Sequence, residues 1–271
     1  MYHFLIGLQL YSVRDAVEKD FEGTLKKVKE FGYDGVEFAG LYDHTPAEVK
    51  EMCEKAGLTP ISAHVSYYEM LEGEETFRKY AEIGCKYIVI PWIDKECHAG
   101  GEKNEEFLEN VRKLSKLAHK YGMKLGYHNH DFEFEKFNGE NKLDLLYKAL
   151  PGDVLLPEID TCWAKVGGED PAAYLRKYAD RTEIVHLKDF AGHKNDHMYG
   201  LIGVDEEQQK KASGDFEFRP IGDGLQDIPS ILAASKDVGA TWLIVEQDEA
   251  SQGKSSMECA KESMSYLKSV M

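Results

Sequence analysis

The sequence predicts an α/β fold in which eight β-strands alternate with eight helices to close a (β/α)8 barrel. Three observations support this fold: charged amphipathic helix patterns recur, a glycine ends most of them, and a short apolar strand pattern follows. Glycine is favoured where a chain leaves a helix in the left-handed conformation, so it separates the two kinds of element. Strict alternation requires parallel strands joined by crossovers, and eight such units in 271 residues fit one barrel domain over residues 1–271.

The predicted elements follow one another without a linker rich in proline or serine. Strands are expected at residues 4–10, 33–38, 59–64, 86–91, 124–128, 154–160, 183–188 and 241–246. Helices are expected at 20–31, 46–56, 74–83, 104–121, 142–149, 171–179, 227–238 and 256–269. The second helix begins with Thr45, Pro46 and Glu48, which predict a capping box with proline in the first turn. A doubly wound open sheet is the alternative fold, but the first strand is followed by neither a glycine-rich dinucleotide motif nor a P-loop.

One segment between the last two strands, residues 190–223, breaks the alternation. It contains two histidines, His193 and His197, and a charged run over residues 205–211. Connections of this length are commonly functional or disordered. We expect a loop over the barrel mouth, with a solvated insertion as the alternative.

Composition excludes several classes of protein. The chain has 33 Lys and Arg against 49 Asp and Glu, a net charge of −16, which opposes binding to a nucleic-acid backbone. No apolar run approaches the roughly 18 to 20 residues that span a bilayer, and the start lacks the basic region of a signal peptide. The five cysteines form no C-x-x-C pair, so a disulfide framework or structural zinc site is not expected. These features predict a soluble cytoplasmic protein.

Polar residues end nearly every predicted strand. In a barrel the carboxyl ends of the strands converge on one mouth, where chemistry takes place. An isolated buried carboxylate such as Glu246 is costly unless it is paired or binds a metal, and imidazoles with carboxylates suit divalent transition metals. Other interpretations remain open: Glu37 and His64 could be buried partners, Asp160 could cap the next turn, and His186 could be a core histidine. The strand-end residues are Gln9, Glu37, His64, Trp92, Asp94, His128, Asn129, His130, Glu158, Asp160, His186, Lys188, Glu246, Gln247 and Asp248.

Six motifs carry a resemblance that runs nearly end to end. They are GLQLYSVR at 7–14, YDGVE at 33–37, YHNHDFEF at 127–134, EIDTCW at 158–163, VHLKD at 185–189 and VEQD at 245–248. With them the chain resembles the sugar isomerase/epimerase superfamily of xylose isomerase-like TIM barrels. Relatives in that superfamily include tagatose 3-epimerase, inosose dehydratase and endonuclease IV.

The resemblance implies one divalent metal ion at the mouth. Asp160, His186 and Glu246 match three of the four ligands of the epimerase relatives. The fourth ligand, a strand-five glutamate, is replaced by His128, and Glu133 is the alternative if it reaches back. Manganese is the first expectation for the metal, with magnesium, cobalt and zinc as alternatives.

The same resemblance assigns expected roles to the remaining polar residues. Glu246 or Glu133 would be the base that moves a proton, and His130 joins them as a catalytic candidate that shuttles protons or orients hydroxyls. Trp92 and Trp163 could offer apolar faces to the sugar ring, with core packing as the alternative for both. The residues expected to bind substrate are Glu37, His64, Trp92, Glu158 and Lys188.

The expected activity is a metal-dependent sugar isomerase or epimerase that moves a proton alpha to a carbonyl of a sugar or keto-polyol. The alternative is a lyase of the inosose dehydratase type acting on a keto-sugar or keto-inositol. The loss of one glutamate ligand puts two-base epimerisation in doubt, and the Glu-Gln-Asp ending resembles the dehydratases. DNA cleavage is disfavoured by charge, and a non-catalytic carbohydrate-binding barrel by the three retained ligands. The expected partner is a small sugar, without nucleic acid or membrane, and homo-oligomerisation is left open.

Overall fold

The computed structural model describes residues 4–195, 198 and 214–271, which form a closed barrel of eight parallel strands. Adjacent strands in the chain are neighbours in the barrel, and the first strand closes on the last, with Leu8 opposite Val245. This arrangement confirms the predicted (β/α)8 fold. We number the barrel strands β1 (Leu5–Gln9), β2 (Gly35–Phe38), β3 (Thr59–His64), β4 (Tyr87–Ile90), β5 (Lys124–His128), β6 (Leu156–Asp160), β7 (Ile184–Leu187) and β8 (Trp242–Val245).

One outer helix follows each barrel strand, at the predicted places. The helices are α1 (Phe21–Phe31), α2 (Pro46–Ala56), α3 (Glu74–Ile83), α4 (Asn104–Lys120), α5 (Lys142–Ala149), α6 (Pro171–Lys177), α7 (Ile228–Asp237) and α8 (Ser256–Val270). The predicted capping box is present at Thr45 and Glu48, and Gly57 ends α2 in the left-handed conformation at φ 71°. No helix in the described ranges is long and apolar enough to cross a membrane.

Short elements at the carboxyl ends of the strands add to the predicted set. Three further α-helices span Arg14–Val17, Tyr67–Leu71 and Thr161–Val166. A two-stranded hairpin pairs Lys136–Phe137 with Glu140–Asn141. These pieces were not predicted because each is too short to show a period in the sequence.

The barrel interior is layered. Its lower part is an apolar floor formed by Ile61, Tyr87, Val89, Leu156, Ile184, Trp242 and Ile244. Since side chains alternate along a strand, the next inward positions on β6 and β7 are Glu158 and His186, and Glu246 continues the alternation just past the end of β8. The apolar floor therefore supports a polar layer, and the outward side chains pack against the helices.

Two glycines, Gly7 and Gly35, let the strands around the apolar floor pack closely. A Cβ atom on Gly35 would lie 2.5 Å from the carbonyl oxygen of Thr59, and one on Gly7 would lie 2.4 Å from Ile61 Cδ1. The pairing of β2 with β3 also shifts register between Val36 and Glu37. These close approaches let Ile61 fill the space between the first three strands.

The long segment after β7 is described only at its two ends, where Asp189–Ala191 pairs antiparallel with Glu217–Arg219. Phe216 stacks on Trp163 with ring centroids 5.9 Å apart, so this hairpin lies at the carboxyl end of the barrel. Residues 196–197 and 199–213, which include His197 and the charged run at 205–211, lie outside the described residues. The predicted loop over the mouth is therefore described only in its hairpin.

The Asp189 side chain anchors the end of this connection. Its Oδ1 accepts hydrogen bonds from the backbone N–H groups of Phe190 and Gln226, at 2.9 and 3.1 Å. Its Oδ2 accepts from the N–H groups of Gly222 and Gly224, at 3.0 and 3.1 Å. One carboxylate thus satisfies four backbone donors and fixes the chain leading into α7.

Candidate active site and metal centre

Four predicted ligands meet at the ends of β5 to β8. His128, Asp160, His186 and Glu246 each offer one donor atom, and these four atoms lie within 4.8 Å of one another. The parallel pairing explains the meeting, because Asp160 lies directly opposite His186 on the neighbouring strand. All four side chains are at most 3% exposed. We call these four residues the upper group.

The two oxygens of Asp160 have different partners. Oδ1 accepts a hydrogen bond from the Trp163 N–H at 2.9 Å and caps the helix Thr161–Val166. Oδ2 makes no hydrogen bond among the described residues and lies 3.7 Å from His128 Nε2. Asp160 therefore caps the turn, as the alternative interpretation proposed, and still turns Oδ2, which lies 3.4 Å from Lys188 Nζ, towards the upper group.

The donor set of the upper group fits a divalent cation. It combines two imidazoles with two carboxylates, and protein sites for zinc, manganese and cobalt use these ligand types. The open lone pairs of Asp160 Oδ2, buried away from water, are what a cation would satisfy.

Lys188 brings a positive charge to the same place from the mouth side, just beyond the end of β7. Its Nζ lies 2.8 Å from Glu246 Oε2, 2.9 Å from Asp248 Oδ1 and 3.4 Å from Asp160 Oδ2. Burial lowers the pKa of Lys188, but these three carboxylates outweigh burial and raise it well above its usual value. The ammonium is therefore held charged among the carboxylates.

Glu246 and Asp248 respond differently to this ammonium. Burial raises the pKa of Glu246, but Lys188 and His186 outweigh burial and bring it well below its usual value. Burial is the main cause that raises the pKa of Asp248 to about 6. At neutral pH the site therefore presents an ionised Glu246 beside a charged Lys188.

Three predicted substrate-binding residues contact one another: Glu37 and Glu158 are fully buried, and His64, which also lines the opening, pairs with both. His64 Nε2 lies 2.6 Å from Glu158 Oε2, and His186 Nε2 lies 2.7 Å from Glu37 Oε1. Glu37 also accepts hydrogen bonds from Gln9 Nε2 at 2.7 Å and from Ser62 Oγ at 2.5 Å. Glu37 and Glu158 are fully buried, so their geometry favours the interpretation as buried partners over direct substrate contact.

The pKa values of the two deep carboxylates move in opposite directions. Burial raises the pKa of Glu37, but the charges of His64 and His186 outweigh it and lower the pKa to about 2. Burial, followed by the neighbouring Glu37 charge, raises the pKa of Glu158 to about 7. A proton held in this layer therefore resides on Glu158 or on the imidazoles.

Glu133 is not brought to the upper group. Its carboxylate accepts hydrogen bonds from the Tyr127 hydroxyl at 2.6 Å and from the His130 N–H at 2.8 Å. Tyr127 precedes His128 on β5 and therefore points to the opposite side of the strand, into the core between strands and helices. Burial raises the pKa of Glu133 to about 8. Of the two strand-five candidates, the structure brings only His128 to the other ligands.

The mouth above the upper group is a small opening. His130 stacks between Phe132, with centroids 5.2 Å apart, and Trp163, at 5.6 Å. Burial and the charge of Lys188 lower the pKa of His130 to about 3, so its ring is neutral. Trp92 is half-buried at the opening, whereas Trp163 is fully buried beneath Lys188. The opening is lined by Tyr11, His64, Pro91, Trp92, His128, His130, Lys188, Glu246 and Asp248.

Several contacts at the site were not predicted. Arg14 Nη1 donates to the carbonyl oxygen of Asp248 at 2.6 Å and ties the first loop to the last. Ser62 Oγ donates a hydrogen bond to Glu37. Its position two residues before His64 on β3 is the sequence feature that could have indicated this contact. Asn129 Oδ1 accepts from the Asp160 N–H at 3.0 Å and aligns β5 with β6. Asp94 lies outside the site, where it accepts a hydrogen bond from Tyr68.

Comparison with known proteins agrees with this geometry. Residues 25–270 match the family model described as xylose isomerase-like TIM barrel. The inosose dehydratase of Geobacillus kaustophilus is 27% identical over 250 residues, which cover 83% of this chain and 79% of that protein. The inosose dehydratase of Lacticaseibacillus casei is 25% identical over 281 residues, covering 94% and 91%. A sugar phosphate isomerase/epimerase from Parabacteroides distasonis superposes with a TM-score of 0.77 at 22% identity, covering 97% of each chain.

Proposed function

Because the chain belongs to the xylose isomerase-like TIM barrel family, we propose that it is a metal-dependent dehydratase acting on a keto-polyol. The proposed substrate is a keto-sugar or keto-inositol, a small molecule that carries a carbonyl beside a C–H bond. Water is eliminated across the alpha carbon, which loses its proton, and the adjacent beta carbon, which loses its hydroxyl. A C–H bond and a C–O bond break, a C=C bond forms, and the departing hydroxyl leaves as water.

The observation that carries this proposal is the pair formed by Glu246 and Lys188, whose charged atoms lie 2.8 Å apart. Elimination needs a base for the proton alpha to the carbonyl and an acid for the leaving hydroxyl. Glu246 is ionised and can accept the proton, while Lys188 is charged and can donate one. Symmetric epimerisation instead needs two similar bases on opposite faces of one carbon. The strand-five position offers the imidazole of His128 in place of a second glutamate, so this pair of bases is not matched.

The upper group, His128, Asp160, His186 and Glu246, would hold the metal ion. When bound, a divalent ion supplies Lewis-acid polarisation of the substrate carbonyl. The neutral ring of His130 can accept a hydrogen bond from a substrate hydroxyl at the mouth. Trp92 offers its ring to the apolar side of the sugar at the opening.

The relatives support dehydration over isomerisation. The two bacterial relatives described above, 27% and 25% identical to this chain, are inosose dehydratases. Dehydration was the alternative expectation from the sequence. We therefore propose dehydration in preference to the isomerase or epimerase activity, with manganese, cobalt, zinc or magnesium as the metal.

A panel of keto-inositols and keto-sugars, incubated with the Mn²⁺-loaded protein in D₂O and followed by NMR, tests the proposal. We expect loss of water and a new alkene carbon pair. Glu246→Gln should lower kcat at least about 100-fold, in line with removal of a general base. Lys188→Gln should slow elimination while deuterium exchange at the alpha carbon persists. Exchange or stereochemical inversion without loss of water in the wild-type protein would contradict dehydration.

Isomerisation is a second candidate function, because Asp248 offers a second carboxylate at the site. This carboxylate lies 2.9 Å from Lys188 Nζ, and burial raises its pKa to about 6. A carboxyl group with that pKa can exchange protons near neutral pH, so two-base chemistry would use Glu246 and Asp248. Inverted product in the NMR experiment, lost in both Glu246→Gln and Asp248→Asn, would establish it.

A further inference from the structure

Three imidazole rings surround one carboxylate oxygen in the barrel interior, below the mouth. Glu158 Oε2 lies 2.6 Å from His64 Nε2, 3.3 Å from His186 Nε2 and 3.4 Å from His128 Nδ1. The three rings are in mutual contact, with centroids 4.6 to 5.1 Å apart. We call His64, His128, Glu158 and His186 the deep group.

Hydrogen bonding alone does not account for this convergence. His64 Nε2 makes a hydrogen bond to Glu158, while His186 Nε2 is bonded to Glu37. His128 Nδ1 and Glu158 Oε1 have no hydrogen-bond partner among the described residues, although both atoms are buried. Buried polar atoms without partners are costly unless something else at the site satisfies them.

The spacing of the donors suits a single ion. Ligand bonds of about 2.1 Å in a tetrahedral site place the donor atoms about 3.4 Å apart. Two of the three distances from Glu158 Oε2 to the ring nitrogens already have that value, and all four donors lie within 4.8 Å of one another. The third distance, 2.6 Å to His64 Nε2, would have to lengthen around an ion.

The charge of the deep layer also favours a cation. Glu37 and Glu158 are both fully buried, and no described lysine or arginine forms an ion pair with either of them. Nearer the mouth, the ammonium of Lys188 pairs with the carboxylates of Asp160, Glu246 and Asp248. The deep carboxylates pair only with imidazoles among the described residues, and a divalent cation would replace the ring protons that neutralise them.

His128 and His186 join the two groups through opposite ring nitrogens. His186 turns Nδ1 towards Glu246, at 3.1 Å, and Nε2 towards the deep layer. His128 turns Nε2 towards Asp160, at 3.7 Å, and Nδ1 towards Glu158. One ring can therefore serve an ion on each side once it gives up its remaining ring proton to solvent.

We propose that the deep group is a second metal site, which binds a divalent transition-metal ion below the upper group. Three imidazoles and one carboxylate are a nitrogen-rich set, which favours Zn²⁺ or Co²⁺ over Mg²⁺. Glu37 lies beside the deep site, held by Gln9 and Ser62, and supplies the second negative charge. When both sites are filled, His128 and His186 bridge the two ions.

Zinc binding to the full-length protein tests the proposal. The protein is stripped of metal, reloaded with Zn²⁺, desalted and analysed for zinc per chain, and crystals of the loaded protein are measured at the zinc absorption edge. We expect two zinc ions per chain and two anomalous peaks, one within each group. His64→Gln removes a ligand that only the deep group uses, and should leave one zinc and the upper peak. Asp160→Asn is the matched control, which should remove the upper peak and leave the deep one.

The outcomes separate this inference from the proposed function. A single zinc per chain in both wild type and His64→Gln, with one peak beside Asp160 and Glu246, overturns the deep site and leaves the proposed function intact. A single peak among the deep ligands supports the deep site and overturns the upper ligand set. The diffraction experiment on wild-type protein decides the question even if either variant fails to fold.

Discussion

Replacing Glu133 with glutamine separates two accounts of this residue. The sequence allows Glu133 to be a catalytic base or the strand-five ligand, whereas the structure buries it against Tyr127 and the backbone of His130. If it lies behind the strand, Glu133→Gln should retain turnover within about 3-fold. Glutamine can accept the His130 N–H bond with its oxygen and donate to the Tyr127 oxygen, so both contacts are kept.

The effect on stability follows from the pKa of Glu133. Burial raises the pKa to about 8 in the folded protein, against about 4.3 for an ordinary glutamate. The folded state therefore keeps a proton that the unfolded state has released, and the free energy of unfolding falls as pH rises between those values. At about 1.4 kcal/mol per pH unit, the wild-type protein loses on the order of 3 kcal/mol from this group between pH 5 and pH 8. Glu133→Gln does not titrate, so its stability relative to wild type should rise by that amount.

Urea unfolding of metal-free protein at pH 5, 6.5 and 8, with kcat measured on loaded protein, checks both expectations. Glu135→Gln is the matched control, because Glu135 lies two residues away, is exposed and pairs with Lys142 at 2.5 Å. Hydrogen bonding to Lys142 lowers the pKa of Glu135, so this group titrates below the measured range and its variant should change stability by less than about 1 kcal/mol throughout. A gap between wild type and Glu133→Gln that does not widen with pH, or a kcat lowered 100-fold, refutes the reasoning.

Three other predictions concern the anchor, the barrel closure and the metal. Asp189→Asn leaves one acceptor oxygen for four backbone donors, so two backbone N–H groups lose their acceptor and the free energy of unfolding should fall by about 1–3 kcal/mol. Asp227→Asn, the same change at the N-cap of α7, should cost less than about 0.5 kcal/mol, and equal losses in the two variants would count against the anchor. Gly35→Ala places a Cβ 2.5 Å from Thr59 O and should cost about 1–3 kcal/mol in urea unfolding, whereas an unchanged midpoint would show that β2 and β3 can separate. Exhaustive chelation should abolish turnover and added Mn²⁺ should restore it, and full activity without metal would exclude the proposed mechanism.

The fold was predictable because its signals are local and repeated. Glycines at helix ends, such as Gly57, and the capping box at Thr45 mark where helices end and begin. The alternation of eight such units then restricts the topology to a parallel barrel. The short helix Thr161–Val166 escaped prediction because six residues show less than two turns of helical period.

The sequence predicts which residues form the site, but it does not predict how deep in the barrel each of them lies. Strand alternation identifies Glu158 and Asp160 as inward residues of β6, yet only the register with neighbouring strands gives their depth. Asp160 lies opposite His186 at the mouth, whereas Glu158 lies opposite His128 and contacts His64 below. Register depends on pairing between distant segments, so a single sequence does not reveal it.

Glu133 shows the same limit at short range. Five residues separate it from His128, a distance that the chain can fold back across. The 3₁₀ turn Phe132–Phe134 instead turns the carboxylate onto Tyr127, on the far side of β5. The sequence gives the separation along the chain, but the direction of the turn depends on packing against the outer helices.

The chemical role of a residue at this site therefore depends on its depth in the barrel as well as on its type. Two residues along a strand advance the chain by about 6.6 Å, enough to move a carboxylate from the mouth to the interior. Glu246 and Asp248, which follow the last strand, reach Lys188 at the mouth, so they are placed to meet a substrate. Glu158 belongs to a layer that a substrate entering from the mouth meets only after His128 and His186. The residues that select the substrate should accordingly come from the loops above the upper group, and those below it should govern how the shared imidazoles are held.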